Sequence, residues 1–122
     1  MMAPTVVLRE GQPEVALGSA GSNRIRSAIV QTITAVVDDG ATAADAVTRP
    51  RVHFERGVVE VEPGVADREL EAVERDGWSV QRWREQNLYF GGVQAVARDP
   101  DTGELSGGGD PRRGGVAVVV KP

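Results

Sequence analysis

The sequence of 122 residues contains no cysteine and a single histidine, His53. The absence of cysteine excludes disulfides, thiolate metal sites and a cysteine nucleophile, and one histidine is too few for a histidine-rich metal site. No apolar run is long enough to cross a bilayer, and Met1 is not followed by a signal peptide. We therefore expect no metal, no other cofactor and no membrane partner. The sequence leaves the location open, and without a signal peptide it is cytoplasmic as it stands.

A basic surface is also lacking. Lysine and arginine number 14 against 18 aspartates and glutamates, so the net charge is −4, and the arginines are scattered among acids. This charge pattern argues against a nucleic-acid partner. The hydrophobic fraction of 40% and the charged fraction of 26% are ordinary for a soluble globular protein. The length predicts a single domain over residues 1–122.

Short β-like segments alternate with helical ones along the chain. Residues 5–8 and 14–17 form a predicted hairpin around Gly11, and their consecutive apolar residues indicate burial on both faces. Further strands are predicted at residues 52–54, 58–62, 78–83, 90–97, 105–109 and 116–120, and a short helix after Asp67 as its N-cap. The order predicts an α/β (α+β) fold with mainly antiparallel sheet and packed helices.

The longest helical pattern runs over residues 22–38. Its apolar residues recur at the spacing of one buried helix face, and Gly40 stands where a left-handed terminal residue belongs. Ser22 or Asn23 is the predicted N-cap. Thr42 is the predicted N-cap of a second, short helix that ends before Pro50.

A turn of small residues over positions 18–25 lies between the first hairpin and the long helix. The small side chains allow a sharp backbone turn, and the helix start supplies N–H groups without partners. Such a turn can hold an anion or a developing oxyanion. From these residues alone, a plain strand-to-helix connection is the favoured reading.

Four segments together resemble one family. Residues 2–7 (MAPTVV), 18–25 (GSAGSNRI), 45–53 (DAV followed by PRVH), and the pair 92–96 (GVQAV) with 109–112 (GDPR) occur in that order. They are similar to motifs of the γ-glutamyltransferases (glutathione hydrolases), which are N-terminal-nucleophile hydrolases. The resemblance covers nearly the whole chain and identifies it with the carboxy-terminal part of the family's small subunit.

The resemblance implies part of a four-layer αββα sandwich. In the family a precursor cleaves itself, and the new N-terminal threonine attacks the γ-glutamyl amide, with its own α-amine as base. An acyl-enzyme forms and passes its acyl group to water or to an amino acid. The family's glycine pair donates backbone hydrogen bonds to the oxyanion, and this pair corresponds to Gly21 and Ser22.

Two departures from the family pattern bear on activity. Ser22 stands where the family has its second glycine, and Ala20 where it has proline; the Cβ of Ser22 would be strained if the site needs a positive φ. Met1 stands at the place of the second serine that holds the substrate's α-carboxylate, and the nucleophile would lie further upstream.

The resemblance therefore implies a fragment that supplies the oxyanion turn without the nucleophile and is inactive alone. The implied partners are the upstream, large-subunit polypeptide of the same enzyme or another copy of this chain, with a γ-glutamyl small molecule as substrate of the assembly. The alternative is a degenerate structural or binding module of the same fold.

Other residues favour structural readings. His53 could serve Ser19 or Ser22 as a base, but neither serine lies in a Gly-x-Ser-x-Gly elbow, so a structural histidine is favoured. The glycines of the turn lack the first position of a dinucleotide-binding fingerprint. Arg51, Asp110 and Arg112 are predicted to form an ion-pair network, with substrate contact as the less favoured role. Glu60 and Glu62 are interpreted as residues of a solvated strand face. Trp78 and Trp83 are interpreted as core or interface residues.

Overall fold

The computed structural model describes residues 1–122 and contains seven strands and three α-helices. The strands are β1 (Thr5–Arg9), β2 (Gln12–Ala20), β3 (Val52–Glu55), β4 (Val58–Val61), β5 (Ser79–Arg82), β6 (Gly92–Arg98) and β7 (Leu105–Gly109). The helices are α1 (Ile25–Val37), α2 (Ala43–Thr48) and α3 (Asp67–Arg75), with 3₁₀-helices at Leu88–Phe90 and Pro111–Arg113. None of the helices has the length and apolar character needed to span a membrane.

The strands form two sheets. The four-stranded sheet is antiparallel throughout and has the order β1-β2-β6-β7. The three-stranded sheet has the order β3-β4-β5, and β5 runs parallel to β4 because α3 makes the crossover between them. The predicted fold class, α/β with mainly antiparallel sheet and packed helices, is confirmed.

The hydrophobic core lies between the four-stranded sheet and the two helices α1 and α2. Alternate residues of β2 and β6 point into it, because side chains along a strand alternate between the two faces. The buried core residues are Val15, Leu17, Ala28, Ala35, Val36, Ala43, Ala46, Val47, Val93, Ala95 and Ala97. The small residues on both sides of this core allow the helices to approach the sheet closely.

The opposite face of the four-stranded sheet is open. Val6 and Leu8 are each 60% exposed, and Val96 is 50% exposed. The expectation that the first two strands are buried on both faces is therefore wrong for this chain. Their apolar residues do face two sides, but the helices cover only one of them.

The structure confirms some of the predicted helix caps and contradicts others. Helix α1 begins at Ile25 after Arg24 as N-cap, with no side-chain capping bond, so Ser22 and Asn23 are not its caps. Thr42 does cap α2, since its hydroxyl accepts a hydrogen bond from the N–H of Asp45 at 3.2 Å. Gly40 has a φ of +69°, as predicted for the residue after α1. Asp67 is the first residue of α3 and not its N-cap, a position taken by Ala66.

Residues 116–120 do not form the predicted last strand. Their chain passes over Gly107 and Gly109 on the outer face of β7, where a Cβ on Gly107 would lie 2.8 Å from the Cβ of Ala117. It therefore does not pair with the edge of β7. Four valines of this segment remain between 72% and 84% exposed: Val116, Val118, Val119 and Val120.

Candidate oxyanion turn

The turn between β2 and α1 is shorter than the sequence suggested. Gly18 and Ala20 belong to β2, where they pair with Gln94 and Gly92 of β6. Gly18 also lets the amino-terminal segment approach, since the N–H of Ser19 donates to the carbonyl of Met2 at 2.8 Å. Only residues 21–24 connect the strand to the helix. The candidate site is thus a four-residue turn.

Gly21 and Ser22 differ in backbone conformation. Gly21 has a φ of +134°, which side chains rarely allow, so a glycine is required there. The non-glycine residues with a positive φ are Ala3, Glu10 and Arg56, so Ser22 has an ordinary negative φ. The serine at position 22 therefore carries no backbone strain, although the family has glycine at this place.

Both backbone N–H groups of the candidate donors are free of protein partners. Neither Gly21 nor Ser22 donates a backbone hydrogen bond to an acceptor in the chain. The Ser22 hydroxyl accepts from the N–H of Asn23 at 2.7 Å, and the Ser22 carbonyl accepts from the N–H of Ile25 at 3.2 Å. Ser22 is exposed and Gly21 is half-buried. Two successive backbone donors are therefore left unused within the chain.

A second glycine, Gly91, directly precedes β6 and packs against the turn. A Cβ on Gly91 would lie 2.8 Å from the Ser19 hydroxyl and 3.3 Å from the carbonyl oxygen of Ala20. Gly91 also has a φ of +86°, so both its conformation and its surroundings require glycine. The sequence showed this residue only as part of a strand, and no local pattern marked its packing against β2.

Glu55, at the end of β3, holds the other side of the turn. Its Oε1 accepts a hydrogen bond from the side-chain amide of Asn23 at 2.8 Å. Its Oε2 lies 3.6 Å from Nη1 of Arg24. The hydrogen bond from Asn23, and then the charge of Arg24, lower the pKa of Glu55, so the carboxylate form is favoured. Nothing in the sequence pattern singled out Glu55.

Arg24 is fixed by an aromatic stack. Its guanidinium carbon lies 4.2 Å from the centre of the Tyr89 ring, and its Nε donates to the Tyr89 carbonyl at 3.1 Å. Tyr89 in turn stacks on Trp83 with ring centres 4.9 Å apart. Trp83 is half-buried and its indole N–H donates to Glu60 at 2.7 Å, whereas Trp78 is 50% exposed. Of the two tryptophans, Trp83 supports the turn.

His53 is a buried structural histidine and not the partner of Ser19 or Ser22. Its Nδ1 lies 2.7 Å from the hydroxyl of Ser27, and its Nε2 has no hydrogen-bond partner, with Glu55 Oε2 at 3.6 Å. The Ser19 hydroxyl instead donates to the carbonyl of Ala20 at 3.1 Å. Burial lowers the pKa of His53, and the neighbouring Glu55 only partly opposes this effect. No serine–histidine pair involves the candidate turn.

The predicted ion-pair network of Arg51, Asp110 and Arg112 is confirmed and contains a fourth member. Asp110 accepts from Arg51 at 2.6 Å and from Arg112 at 3.1 Å. Glu62 accepts from Nε of Arg112 at 2.7 Å. Glu62 is 1% exposed, so its interpretation as a solvated strand residue is wrong. The reason is that β4 ends at Val61, so Glu62 no longer follows the alternation of the strand.

This network also holds the residues on either side of Gly91, which packs against the turn. Arg51 donates to the carbonyl of Phe90 at 3.1 Å, and Asp110 accepts from the N–H of Val93 at 2.8 Å. These two bonds bracket Gly91 and hold it against β2. The network is built of carboxylates that face guanidinium groups, and the chain has no group of three or more histidine or acidic side chains arranged to hold a metal ion.

Comparison with known proteins identifies the family. The family model described as gamma-glutamyltranspeptidase matches residues 1–120. The chain belongs to the gamma-glutamyltranspeptidase family. Among similar proteins, the acylase ACY 1 proenzyme of Pseudomonas sp. (strain SE83) is 34% identical over 119 residues, which make up 98% of this chain and 21% of the acylase. The glutathione hydrolase proenzyme of Escherichia coli (strain K12) is 32% identical over 113 residues, or 91% of this chain and 19% of the hydrolase.

Solved structures of this family share the fold. The cephalosporin acylase from Bacillus halodurans superimposes with a TM-score of 0.85 and 28% identity, covering 98% of this chain and 22% of the acylase chain. The transpeptidase CapD of Bacillus anthracis gives a TM-score of 0.80 at 28% identity, covering 98% of this chain and 71% of the CapD chain. These gamma-glutamyltranspeptidase relatives are N-terminal-nucleophile hydrolases. The chain spans about a fifth of the length of the curated relatives it matches.

Proposed function

We propose that this chain forms the oxyanion-binding portion of a γ-glutamyl acyltransferase or hydrolase. The backbone N–H groups of Gly21 and Ser22 are the proposed donors to the oxyanion. The observation that carries this proposal is that both groups lack an acceptor in the chain, in the turn between β2 and α1 of a member of this family. Because Ser22 has no positive φ, its side chain does not prevent this role.

The proposed chemistry needs only what a backbone turn can give. When a threonine hydroxyl attacks a γ-glutamyl amide, the carbonyl oxygen gains negative charge, and two aligned N–H groups stabilise that charge more than they stabilise the neutral amide. Collapse of this intermediate expels the amine and leaves an acyl-enzyme, which water or an amino acid then cleaves. The N–H groups act in both halves of the reaction.

The threonine is proposed to come from outside these 122 residues. Its segment would belong to an upstream portion of the same enzyme or to a second polypeptide, and that portion would also hold the α-carboxylate of the substrate. By itself the chain is then expected to be inactive. The family is that of the gamma-glutamyltranspeptidases and the relatives include glutathione hydrolases, so the proposed substrate class is a γ-glutamyl amide.

A non-catalytic module is the second candidate. It is favoured by two substitutions, Ala20 for the family's proline at the end of β2 and Ser22 for its second glycine in the turn. The unstrained backbone at Ser22 weakens this candidate, because the substitution does not by itself distort the turn.

An assembly assay tests the proposal. The chain is combined with a polypeptide that carries the large subunit and the nucleophile-bearing start of the small subunit, and the release of a chromogenic aniline from a γ-glutamyl anilide is followed. We expect turnover from the complex and none from either part alone. A stable complex of equal stoichiometry without turnover contradicts the proposal and supports the non-catalytic module.

Two variants at one position test the donor itself. Ser22→Pro removes the backbone N–H, and loss of one oxyanion donor is expected to lower kcat about 10²–10³-fold. Ser22→Gly is the matched control, because it removes the same hydroxyl, which accepts from Asn23, but keeps the N–H. We expect this control to keep kcat near the wild-type value. Equal rates for both variants would remove Ser22 from the proposed donor pair.

A further inference from the structure

Glu55 occupies a fixed position at the end of β3. The hairpin between β3 and β4 has two central residues, Arg56 and Gly57, with φ values of +52° and +80°. A positive φ at both positions is the mark of a type I′ turn, which sets the register of a two-residue hairpin. Glu55 pairs with Val58 across this turn. The Glu55 backbone is thus held by the sheet and does not depend on the candidate site.

The Glu55 carboxylate connects this sheet to the turn. One oxygen accepts from Asn23 at 2.8 Å, and the other faces Arg24 at 3.6 Å. Asn23 and Arg24 directly follow the two proposed donors in the chain. Glu55 is the acidic residue that contacts residues 21–24. The other contacts of Arg24 are to the ring and the carbonyl of Tyr89.

His53 stands behind the carboxylate. Its ring is buried, its Nδ1 is engaged by Ser27, and its Nε2 lies 3.6 Å from the same Glu55 oxygen that faces Arg24. This Nε2 has no hydrogen-bond partner. The same Glu55 oxygen therefore faces both the buried imidazole of His53 and the guanidinium group of Arg24.

We propose that Glu55 is a positioning residue that holds residues 21–24 in the conformation that presents the N–H groups of Gly21 and Ser22. This inference rests on the proposed function. The turn has few backbone restraints of its own: the Ser22 carbonyl accepts from Ile25, the Arg24 carbonyl accepts from Ala28, and the N–H of Asn23 donates to the Ser22 hydroxyl. Glycine at position 21 adds freedom, because its φ is not restricted by a Cβ. A side-chain anchor at Asn23 supplies the missing restraint.

The expected kinetic effect is on kcat. Oxyanion donors stabilise the transition state and not the bound substrate, so their displacement lowers kcat and leaves KM unchanged. A displacement of about 1 Å can lower the rate about 10²-fold. For Glu55→Ala in the assembled complex we expect kcat to fall about 10- to 100-fold at unchanged KM. Glu55→Gln keeps an oxygen for Asn23 and should retain kcat within about threefold.

Three further variants make the test specific. Asn23→Ala should reproduce the loss in Glu55→Ala, and the double variant should lose no more than either single one, because both remove the same contact. Glu69→Ala serves as the control, since Glu69 is an exposed acidic residue of α3 whose contact is to its neighbour Arg68 at 3.7 Å. This control should leave kcat, KM and complex formation unchanged.

Amide hydrogen exchange of the 122-residue chain gives a readout that does not require turnover. In Glu55→Ala the amides of Ile25 and Ala28, which donate to the carbonyls of Ser22 and Arg24, should exchange faster, while those of β2 and β6 stay as in the wild type. In Glu55→Gln they should match the wild type.

The outcomes separate the two proposals. An inactive wild-type complex contradicts the proposed function, and amide exchange still decides whether Glu55 orders the turn. An active complex in which Glu55→Ala keeps its kcat, or loses stability throughout with a raised KM, overturns the positioning role. Unchanged exchange at Ile25 and Ala28 in Glu55→Ala overturns it as well.

Discussion

Four buried charged residues, Arg51, Glu62, Asp110 and Arg112, join parts of the chain that lie far apart in sequence. Charged groups are buried only at high cost unless they are paired and hydrogen-bonded. Here the guanidinium groups also reach backbone carbonyls at the end of α2, with Arg112 donating to Val47 at 2.8 Å. Every member therefore replaces water with several protein partners, and loss of one member strands the others.

Removal of Glu62 should destabilise the fold strongly. Glu62→Ala leaves Arg112 without its bidentate partner and the N–H of Arg51 without the acceptor it meets at 2.8 Å. Breaking a buried pair from one side costs about 3–5 kcal/mol. Glu74→Ala is the control, because its partner Arg82 is on the surface and such solvent-screened pairs contribute little to stability. Urea unfolding of both variants measures the difference, and equal midpoints would contradict the structural role of Glu62.

The sequence predicted three members of this network and missed the fourth for a physical reason. Arg51, Asp110 and Arg112 stood next to proline or glycine in turns, where polar residues need partners. Glu62 followed the alternating residues 58–62, so the period-two pattern placed it beside Glu60 on a solvated face. The strand ends at Val61, and beyond that point alternation has no meaning. Strand ends are set by pairing across the sheet, which a local pattern does not contain.

At the scale of elements, the helices were more predictable than the last strand. The apolar spacing of α1 gave its buried face, with Ile25, Ala28, Thr32 and Val36 all buried. The valines of residues 116–120 favour a strand by composition, but their chain lies over the glycines of β7 and has no sheet neighbour. Helical hydrogen bonds are local, whereas a strand exists only where another strand is free to pair.

The glycines of β7 are also what brings α2 close to the sheet. A Cβ on Gly108 would collide with the carbonyl oxygen of Ala43 and lie 3.0 Å from a methyl group of Val47. Gly108 faces the helices, whereas Gly107 and Gly109 face the chain end on the other side. The three consecutive glycines thus allow α2 to pack on one face of β7 and the chain end on the other.

Gly108→Ala should therefore push α2 away from the sheet. Overpacking of a well-packed core costs about 1–3 kcal/mol, and we expect a loss of stability in this range. Gly40→Asn is the control, because a Cβ there meets nothing within 4 Å and asparagine tolerates its left-handed φ of +69°. Thermal unfolding of the two variants decides the point. A Gly108→Ala protein as stable as the control would show that α2 is not held by this contact.

At the scale of the whole molecule, the open face of the four-stranded sheet is the main unpaired surface. Val6 and Leu8 lie on the same side of the edge strand β1, and the exposed valines at the end of the chain lie on the same side of β7. Monomeric soluble proteins rarely expose contiguous apolar patches of this kind. Relatives about five times as long have further chain with which to cover the corresponding face.

The 122-residue chain on its own should consequently self-associate through this face and the edge of β1. Replacing Val6 and Leu8 together by lysine should shift the chain towards monomer, because an inserted charge on an edge strand disfavours pairing with another copy. Val30→Lys is the matched control, since Val30 is 61% exposed but lies on α1, away from the sheet face. Sedimentation velocity at two concentrations measures the association of all three proteins. If the wild-type chain is a compact, protease-resistant monomer at both concentrations, the open face does not drive association and its covering by further chain is not required for solubility.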